Sequence, residues 1–514
     1  MIYSNKTIAK NTMFLYCRLL VGLAISFYTT RIVLDALGVL DYGIKNAVGG
    51  IVTLFQFLNG SLATSTQRFL SFDLGRGDYK MMNASFNIAM YIHIVAALVI
   101  ICVTETVGLM LIFHEMVIPT DRLTAALWVF QTSMVALFFN LTQKPYSACL
   151  YAHEKLDIYA YLGIIDTIFK LIIALLIKYT SADRLILFSI LSAIESILIC
   201  FLYRWYCVRH FHEARLRLVW VKSRGKEMFK FAGWNLANQM AQTGRTSGVN
   251  ILINIFFGPS INAARGIALS VHSAITGFAV AFINSLNPQI TKSYASGDII
   301  RMHNLLVYGS KYTFFLFFVF TLPITLEANY LLSLWLKKIP VMAVQFCQLS
   351  LIYAMVEVVS LPVENGVLAT GRIRIYQIIM SGLLFLIPFF SYILYKNGYN
   401  PYTYLYIEII ISVISIFLRP YILRGITGMG LKLFLKKCVI KEICVVFLVV
   451  PMPLLSITYI SSSFFRVILT TIITFLCSIA AIWIVGINSA ERKSVIYYVK
   501  NLYGSYISRK LYNL

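Results

Sequence analysis

The chain has 514 residues, of which 59% are hydrophobic and only 13% charged, whereas a soluble domain runs at roughly 45–50% apolar and about 25% charged. That surplus excludes a soluble enzyme and a disordered chain. The long unbroken apolar runs exclude a transmembrane β-barrel, whose strands alternate, so only helices can satisfy the backbone in lipid.

At roughly 20 apolar residues per crossing, fourteen spans follow in chain order: 11–34, 43–66, 83–104, 122–145, 158–178, 184–207, 228–256, 260–288, 304–327, 341–369, 375–395, 401–424, 441–460 and 464–487. The polar start MIYSNKTIAKN precedes a first apolar run with no small-residue cleavage site, so this run reads as a retained helix. The spans at 228–256 and 260–288 are unusually polar. Loops are short, and none is large enough to fold alone.

The net charge is +23. The basic residues sit in short loops between apolar runs, the membrane orientation pattern, so no nucleic-acid partner is expected. Loops on the side of the N-terminus hold 30 Lys and Arg, against 6 on the other side. That bias predicts both termini in the cytoplasm, in agreement with an even number of spans. The nine cysteines are scattered through apolar segments with no CxxC or metal-ligand spacing, so no metal site is expected.

The sequence is internally duplicated. Gly38 in LGVLDYGIKNAVGG matches Gly258 in FGPSINAARGIALS, 220 residues later. At that offset Gly77-Asp78 falls on Gly297-Asp298, and Lys45 on Arg265. Pro145, Ala152, Lys155 and Tyr159 fall on Pro362, Ala369, Arg372 and Tyr376 at an offset of 217. Each copy holds six spans, an even number, so the copies share one orientation and are expected to be related by an axis along the membrane normal. The expected domains are an N-terminal six-helix lobe, 1–215, a second lobe, 216–437, and two extra helices with a basic cytoplasmic tail, 438–514. The fold class is all-α integral membrane, with two pseudo-symmetric lobes. Such an architecture carries substrate between lobes by alternating access.

Polar residues inside spans mark the candidate site, because they are costly there unless they face a cavity or a partner. Asn235, Asn238, Gln239, Gln242, Arg245 and Thr246 recur on one helical face. Gln56 and Asn59 lie in the second span, and Arg18, Arg31, Lys45, Arg245 and Arg265 are the cations of spans 1, 2, 7 and 8. No acid lies within those four spans. An excess of positive charge selects an anion, and the arginine fork suits phosphate. The Asn/Gln stripe supplies donors and acceptors for sugar hydroxyls. Arg18, Arg245, Arg265, Lys45 and Arg31 are therefore candidates for a pyrophosphate, and Asn235, Asn238, Gln239, Gln242, Gln56 and Asn59 for sugar. Polar residues also join helices without touching a substrate, and Arg31 and Lys45 lie near span ends where they could snorkel. Among the acids within spans, Glu357 and Glu364, seven residues apart on one face of span 10, and Asp166, four residues before Lys170, are candidates for coupling to H+ or Na+. No catalytic residue and no other cofactor is expected.

The segment from NTMFLYCRLL to SFDLGRGD resembles the N-terminus of bacterial polysaccharide flippases, and FAGWNLANQMAQTGRTSGVNILINIFFGPSINAARGIA resembles the start of their second lobe. These flippases share a superfamily with MATE drug exporters and lipid II flippases. The resemblance implies a V-shaped fold of twelve helices with two more at the C-terminus. It also implies flipping of an undecaprenyl-pyrophosphate-linked oligosaccharide, as in O-antigen and lipopolysaccharide assembly, across the bacterial inner membrane. Membrane lipids and other polysaccharide-assembly membrane proteins are the further partners it implies. The alternative is a MATE-like proton- or sodium-coupled exporter of small molecules, which for cationic drugs would need an acidic cavity. A membrane glycan polymerase or ligase would need a large outer loop with converging His, Asp or Arg, and the longest outer loop, near 105–121, is short and poor in them.

Overall fold

The computed structural model describes residues 2–53, 56–116, 118–217, 219–336, 339–489, 491–493 and 496. Among these residues there is no strand. The chain runs through α1 (Ile2–Thr53), α2 (Gln56–Gly75), α3 (Tyr79–Met110), α4 (Leu123–Ala152), α5 (Leu156–Tyr179), α6 (Arg184–His210), α7 (Lys222–Ala295), α8 (Ile299–Leu326), α9 (Ala328–Trp335), α10 (Ala343–Val358), α11 (Leu361–Thr370), α12 (Arg374–Lys396), α13 (Thr403–Thr427), α14 (Leu431–Phe434), α15 (Ile440–Val449), α16 (Pro451–Tyr459) and α17 (Phe464–Ala481). Eleven described helices are long and apolar enough to cross a membrane, or twelve if the bent pair α10 and α11 is one span. The two remaining expected spans are also helical. One, at 43–66, includes two residues outside the described set, and the other, at 228–256, is the polar first part of α7. Fourteen crossings are compatible with this arrangement.

α1 and α7 each join two expected spans, and each breaks its helical path at one glycine. Gly38 has φ 76° and ψ 170°, and Gly258 has φ 80° and ψ 176°. A Cβ disfavours that conformation, which explains glycine at both repeat positions. The next repeated pair agrees as well. Asp78 Oδ1 accepts from the Met81 N–H at 2.9 Å, and Asp298 Oδ1 from the Arg301 N–H at 3.0 Å, so both start a helix with the same cap.

The chain divides into two compact units that cut across the repeat. The first comprises Met1–Val249, Val280–Leu305 and Glu364–Phe389. Within it, Phe86, Tyr146, Cys149, Leu150, Cys207 and Phe211 form one buried cluster, and Val33, Val48, Phe130, Ala174 and Leu185 belong to another. Arg122 ties the non-basic end of the bundle together: it pairs with Asp41 and, at 2.6 Å, with Asp183. Burial pushes the Asp183 carboxyl up, but the Arg122 bond and the N–H groups of Ile186 and Leu185 outweigh it and hold the group below the usual carboxylate range.

The second unit comprises Asn250–Ala279, Leu306–Val363 and Phe390–Leu514. Here the last helices are fastened by buried charge. Arg466 of α17 donates to both carboxylate oxygens of Glu327 at 2.9 and 2.7 Å, and Thr470 donates to the same carboxylate at 3.1 Å. Lys311 meets Glu491 at 2.6 Å.

One expectation is corrected. Glu357 and Glu364 do not share a continuous helical face, because α10 ends at Val358 and α11 restarts at Leu361 with a bend of 44° between them. The Ser360-Leu361-Pro362 sequence explains the break: proline restricts the residue before it and cannot donate to the helix.

Candidate functional site

Within the first unit, α1, α4, α5 and α6 enclose a chamber of about 720 Å³. Each helix presents one face to it. α1 gives Ser26, Thr29, Thr30 and Val33, and α4 gives Val129, Thr132, Ser133, Ala136 and Asn140, both at the three- and four-residue spacing of a helical stripe. α6 gives Ser189, Ser192 and Ser196, and α5 gives Asp166, Thr167 and Lys170. Most of these hydroxyls donate back into their own helix: Thr30 to the Ser26 carbonyl at 2.8 Å, Ser133 to Val129 at 2.6 Å, Thr167 to Gly163 at 2.9 Å and Ser192 to Phe188 at 2.8 Å. A hydroxyl that has used its proton keeps two lone pairs, so these side chains offer acceptors.

The chamber also holds charge. Lys170 pairs with Asp166 at 2.8 Å. Asp166 of α5 and Glu195 of α6 line the same chamber, and a proton shared between the two carboxyl groups would relieve their repulsion. Glu195 Oε1 is buried with no hydrogen-bond partner among the described residues. Lys45 reaches in from α1, 5.0 Å from the Tyr42 ring centroid and 5.1 Å from that of Phe188. Two lysines, Lys45 and Lys170, thus face two carboxyl groups, Asp166 and Glu195.

Of the residues singled out in the sequence, the chamber thus brings together Lys45 and Asp166. Arg18 lies behind it, its guanidinium 4.3 Å from the Tyr159 ring centroid and across Gly163. Arg31 is exposed on α1. Asn235 is buried where α7 meets α2: it donates to the Ser61 carbonyl at 3.5 Å and accepts from Gln377 at 3.4 Å. That is a helix-joining role. Gln239 lies 3.8 Å from where a Cβ would stand on Gly60. The Oδ1 atoms of Asn238 and Asn59 are buried with no hydrogen-bond partner among the described residues. Gln242 and Arg245 are half-buried on α7. The Gln56 side chain lies outside the described residues. Glu364, also half-buried, falls in the first unit, and Glu357 in the second.

In the second unit Arg265 is 4% exposed. It donates to Asn250 Oδ1 at 3.1 Å and to the Tyr404 hydroxyl at 3.3 Å.

The basic-loop end of the first unit closes on a set of contacts that sequence reasoning missed. Glu154, at φ 58°, accepts from Lys292 at 2.6 Å and from Gln289. In the repeat-related segment, the last turn of α11 accepts from Arg68 through the Ala369 carbonyl at 3.3 Å. Asp73 pairs with Arg224 at 2.5 Å, and Thr12 shares a hydrogen bond of 2.9 Å with Ser285. At Gly75 a Cβ would lie 2.7 Å from Lys292 Cα and 2.9 Å from Ala295 Cβ, so glycine is needed for the approach. Ala295 is the residue 220 after Gly75, so the two repeat copies touch there at equivalent small residues. Glycine at 75 and the paired Asp78 and Asp298 were the visible signals. The partners were not visible, because they lie far apart in sequence.

No protein-family model and no curated protein sequence matches the chain. Solved structures do. A MATE in complex with MaL6 has a TM-score of 0.71 at 10% identity, covering 83% of this chain and 97% of that one. A MOP-superfamily transporter from Pyrococcus furiosus, described as having a binding pocket of reverse polarity, has a TM-score of 0.69 at 11% identity, with 83% and 97% covered. A multidrug resistance MATE-family transporter in an outward-facing conformation has a TM-score of 0.70 at 11% identity, again with 83% and 97% covered. The protein therefore has the fold of MATE-like transporters.

Proposed function

We propose that the protein is a transporter that flips an undecaprenyl-pyrophosphate-linked oligosaccharide from the cytoplasmic to the periplasmic leaflet of a bacterial inner membrane by alternating access, both termini being cytoplasmic. The observation that carries this reading is the chamber of the first unit. Its walls are hydroxyls with free lone pairs, which suit sugar hydroxyls as donors, and with one proton on the Asp166–Glu195 pair its two lysines would give it the positive charge that suits an anionic carrier. Lys45 would attract the pyrophosphate, with Arg18, Arg31, Arg245 and Arg265 adding to the positive field. Asn238, Gln239, Gln242 and Asn59 would meet sugars. A proton shared between Asp166 and Glu195 would be the natural coupling ion, since displacing it would change the chamber charge. Glu357 and Glu364 remain secondary candidates for coupling.

The test is reconstitution into vesicles with a fluorescent lipid-linked oligosaccharide. The protein is expected to make the glycan accessible from the opposite leaflet, and to move a lipid of the same tail without pyrophosphate far less. Equal movement of both lipids would contradict the charge argument. A MATE-like exporter is the second reading, favoured by the fold of the neighbours and by the carboxyl pair facing the chamber. It predicts drug sensitivity in a deletion strain with glycan assembly intact.

A further inference from the structure

Away from the chamber, four potential ligands meet at the basic-loop end of the first unit. Cys149 and His153 lie four residues apart at the C-terminal end of α4, so both project to one side. Cys207 lies in the last turn of α6, and Glu213 in the short turn that follows. One ligand atom each from Cys149, His153 and Glu213 lies within 4.8 Å of the others. Cys207, whose Sγ donates to the Tyr146 carbonyl at 3.5 Å, belongs to the same buried cluster as Cys149. We infer that Cys149, His153 and Glu213, with Cys207 as the fourth ligand, form a binding site for a thiophilic divalent cation of the zinc type that joins the ends of α4 and α6.

The donor set selects the class of ion. Thiolate, imidazole and carboxylate are the ligands of zinc, and bonds of roughly 2.0–2.3 Å hold four such atoms about 3–4 Å apart. For Cys149, His153 and Glu213 the present spacing needs only small side-chain shifts, and Cys207 would have to turn from the Tyr146 carbonyl to join them. Calcium and magnesium need mostly oxygen donors, and this group has one carboxylate. Both cysteines are free and fully buried. The loop charge bias puts this end in the cytoplasm, where thiols stay reduced and available for metal.

The site is also held in place before any ion arrives. The His153 ring stacks on Phe211 with centroids 4.1 Å apart and planes 11° from parallel, which fixes the imidazole. Asn83 of α3 donates to the Glu213 carbonyl at 2.8 Å and to the Arg215 carbonyl at 3.2 Å. Asn87 accepts from the Arg217 N–H at 2.7 Å. These bonds pin the segment carrying the carboxylate, as outer-shell partners of a metal site do. The apolar cluster of Phe86, Tyr146, Leu150 and Phe211 surrounds the group. The plainer account is that His153 and Glu213, 6% exposed, are simply an ion pair beside two inert thiols.

Full-length protein purified in detergent with an affinity tag free of histidine separates the two accounts. Bound metal is measured by mass spectrometry, affinity by Zn2+ titration against a chromophoric chelator, and ligation by the thiolate-to-metal absorption of Co2+. Stoichiometric Zn2+ or Co2+, a cobalt–thiolate band, and a rise in Tm on adding Zn2+ to chelator-treated wild type are expected. Cys149→Ser and His153→Ala are expected to lose the band. Asn83→Ala should weaken affinity by about ten- to a hundredfold, and Cys207→Ser should weaken it too. Wild type that binds only substoichiometric metal with no band and no Tm response would overturn the inference, whether or not the variants fold. Stoichiometric binding that survives in a folded Cys149→Ser variant would overturn it as well.

Discussion

Lys45 and Arg265 occupy the same place in the repeat, 220 residues apart, and the structure treats them in opposite ways. Phe188 and Tyr404, 216 residues apart, repeat as well, so each cation lies over a repeated aromatic ring: Lys45 5.1 Å from Phe188 and Arg265 5.4 Å from Tyr404. Around Lys45 the packing opens into a chamber with Asp166, Lys170 and Glu195. Their counterparts at the same offset of 216 are Gly382, Leu386 and Ile411. None of these is an acid, although the buried Glu408 lies four residues after Tyr404 on α13, and Arg265 is itself buried and donates to Asn250 and Tyr404. In this duplicated framework one cation–aromatic pair lines a cavity and the other is buried in helix packing.

Four substitutions press on that contrast, taken from the largest expected effect. The second unit relies on buried charge, so Arg466→Ala, which strands Glu327 at 0% side-chain exposure, is expected to cost about 3–5 kcal/mol. The measurement is thermal unfolding in detergent, and an unchanged midpoint would show that the C-terminal helices are not fastened by that pair. Arg265→Ala is next, at about 1–3 kcal/mol for the lost hydrogen bonds of a buried guanidinium to Asn250 and Tyr404. Lys45→Ala at the matching position should leave the midpoint within about 1 kcal/mol of wild type and impair glycan translocation instead. Equal destabilisation at both positions would break the comparison. The smallest stability change is expected for Glu154→Gln, which weakens the clasp to Lys292. It should raise the labelling of a cysteine placed at Ser285 by a water-soluble thiol reagent, with little shift in Tm, and unchanged labelling would mean that the Glu154 contact holds nothing shut.

Much of the framework was legible before the structure. The apolar runs gave the helices, and Gly38, Gly258, Asp78 and Asp298 gave the repeat, because kinks and caps are local and leave a residue-level signature. What polar side chains face is not local. The stripe on α7 is real, but its register says nothing of the partner helix, and Asn235 turns out to join Ser61 and Gln377. The carboxyl pair of Asp166 and Glu195, and the meeting of Cys149 with Cys207, depend on which faces of α5, α6 and α4 come together. The bend after α10 could have been read from Pro362, since the residue before a proline resists helix; a seven-residue spacing alone hid it.

The central claim is that the first-unit chamber does the work, with a proton shared between Asp166 and Glu195 as its switch. The most direct measurement is translocation of the lipid-linked oligosaccharide in vesicles under an imposed pH gradient, comparing wild type with Asp166→Asn. Gradient-dependent transport in the wild type, and its loss in a variant with unchanged Tm, is the predicted result. Transport by the variant that still follows the gradient as the wild type does would contradict the account.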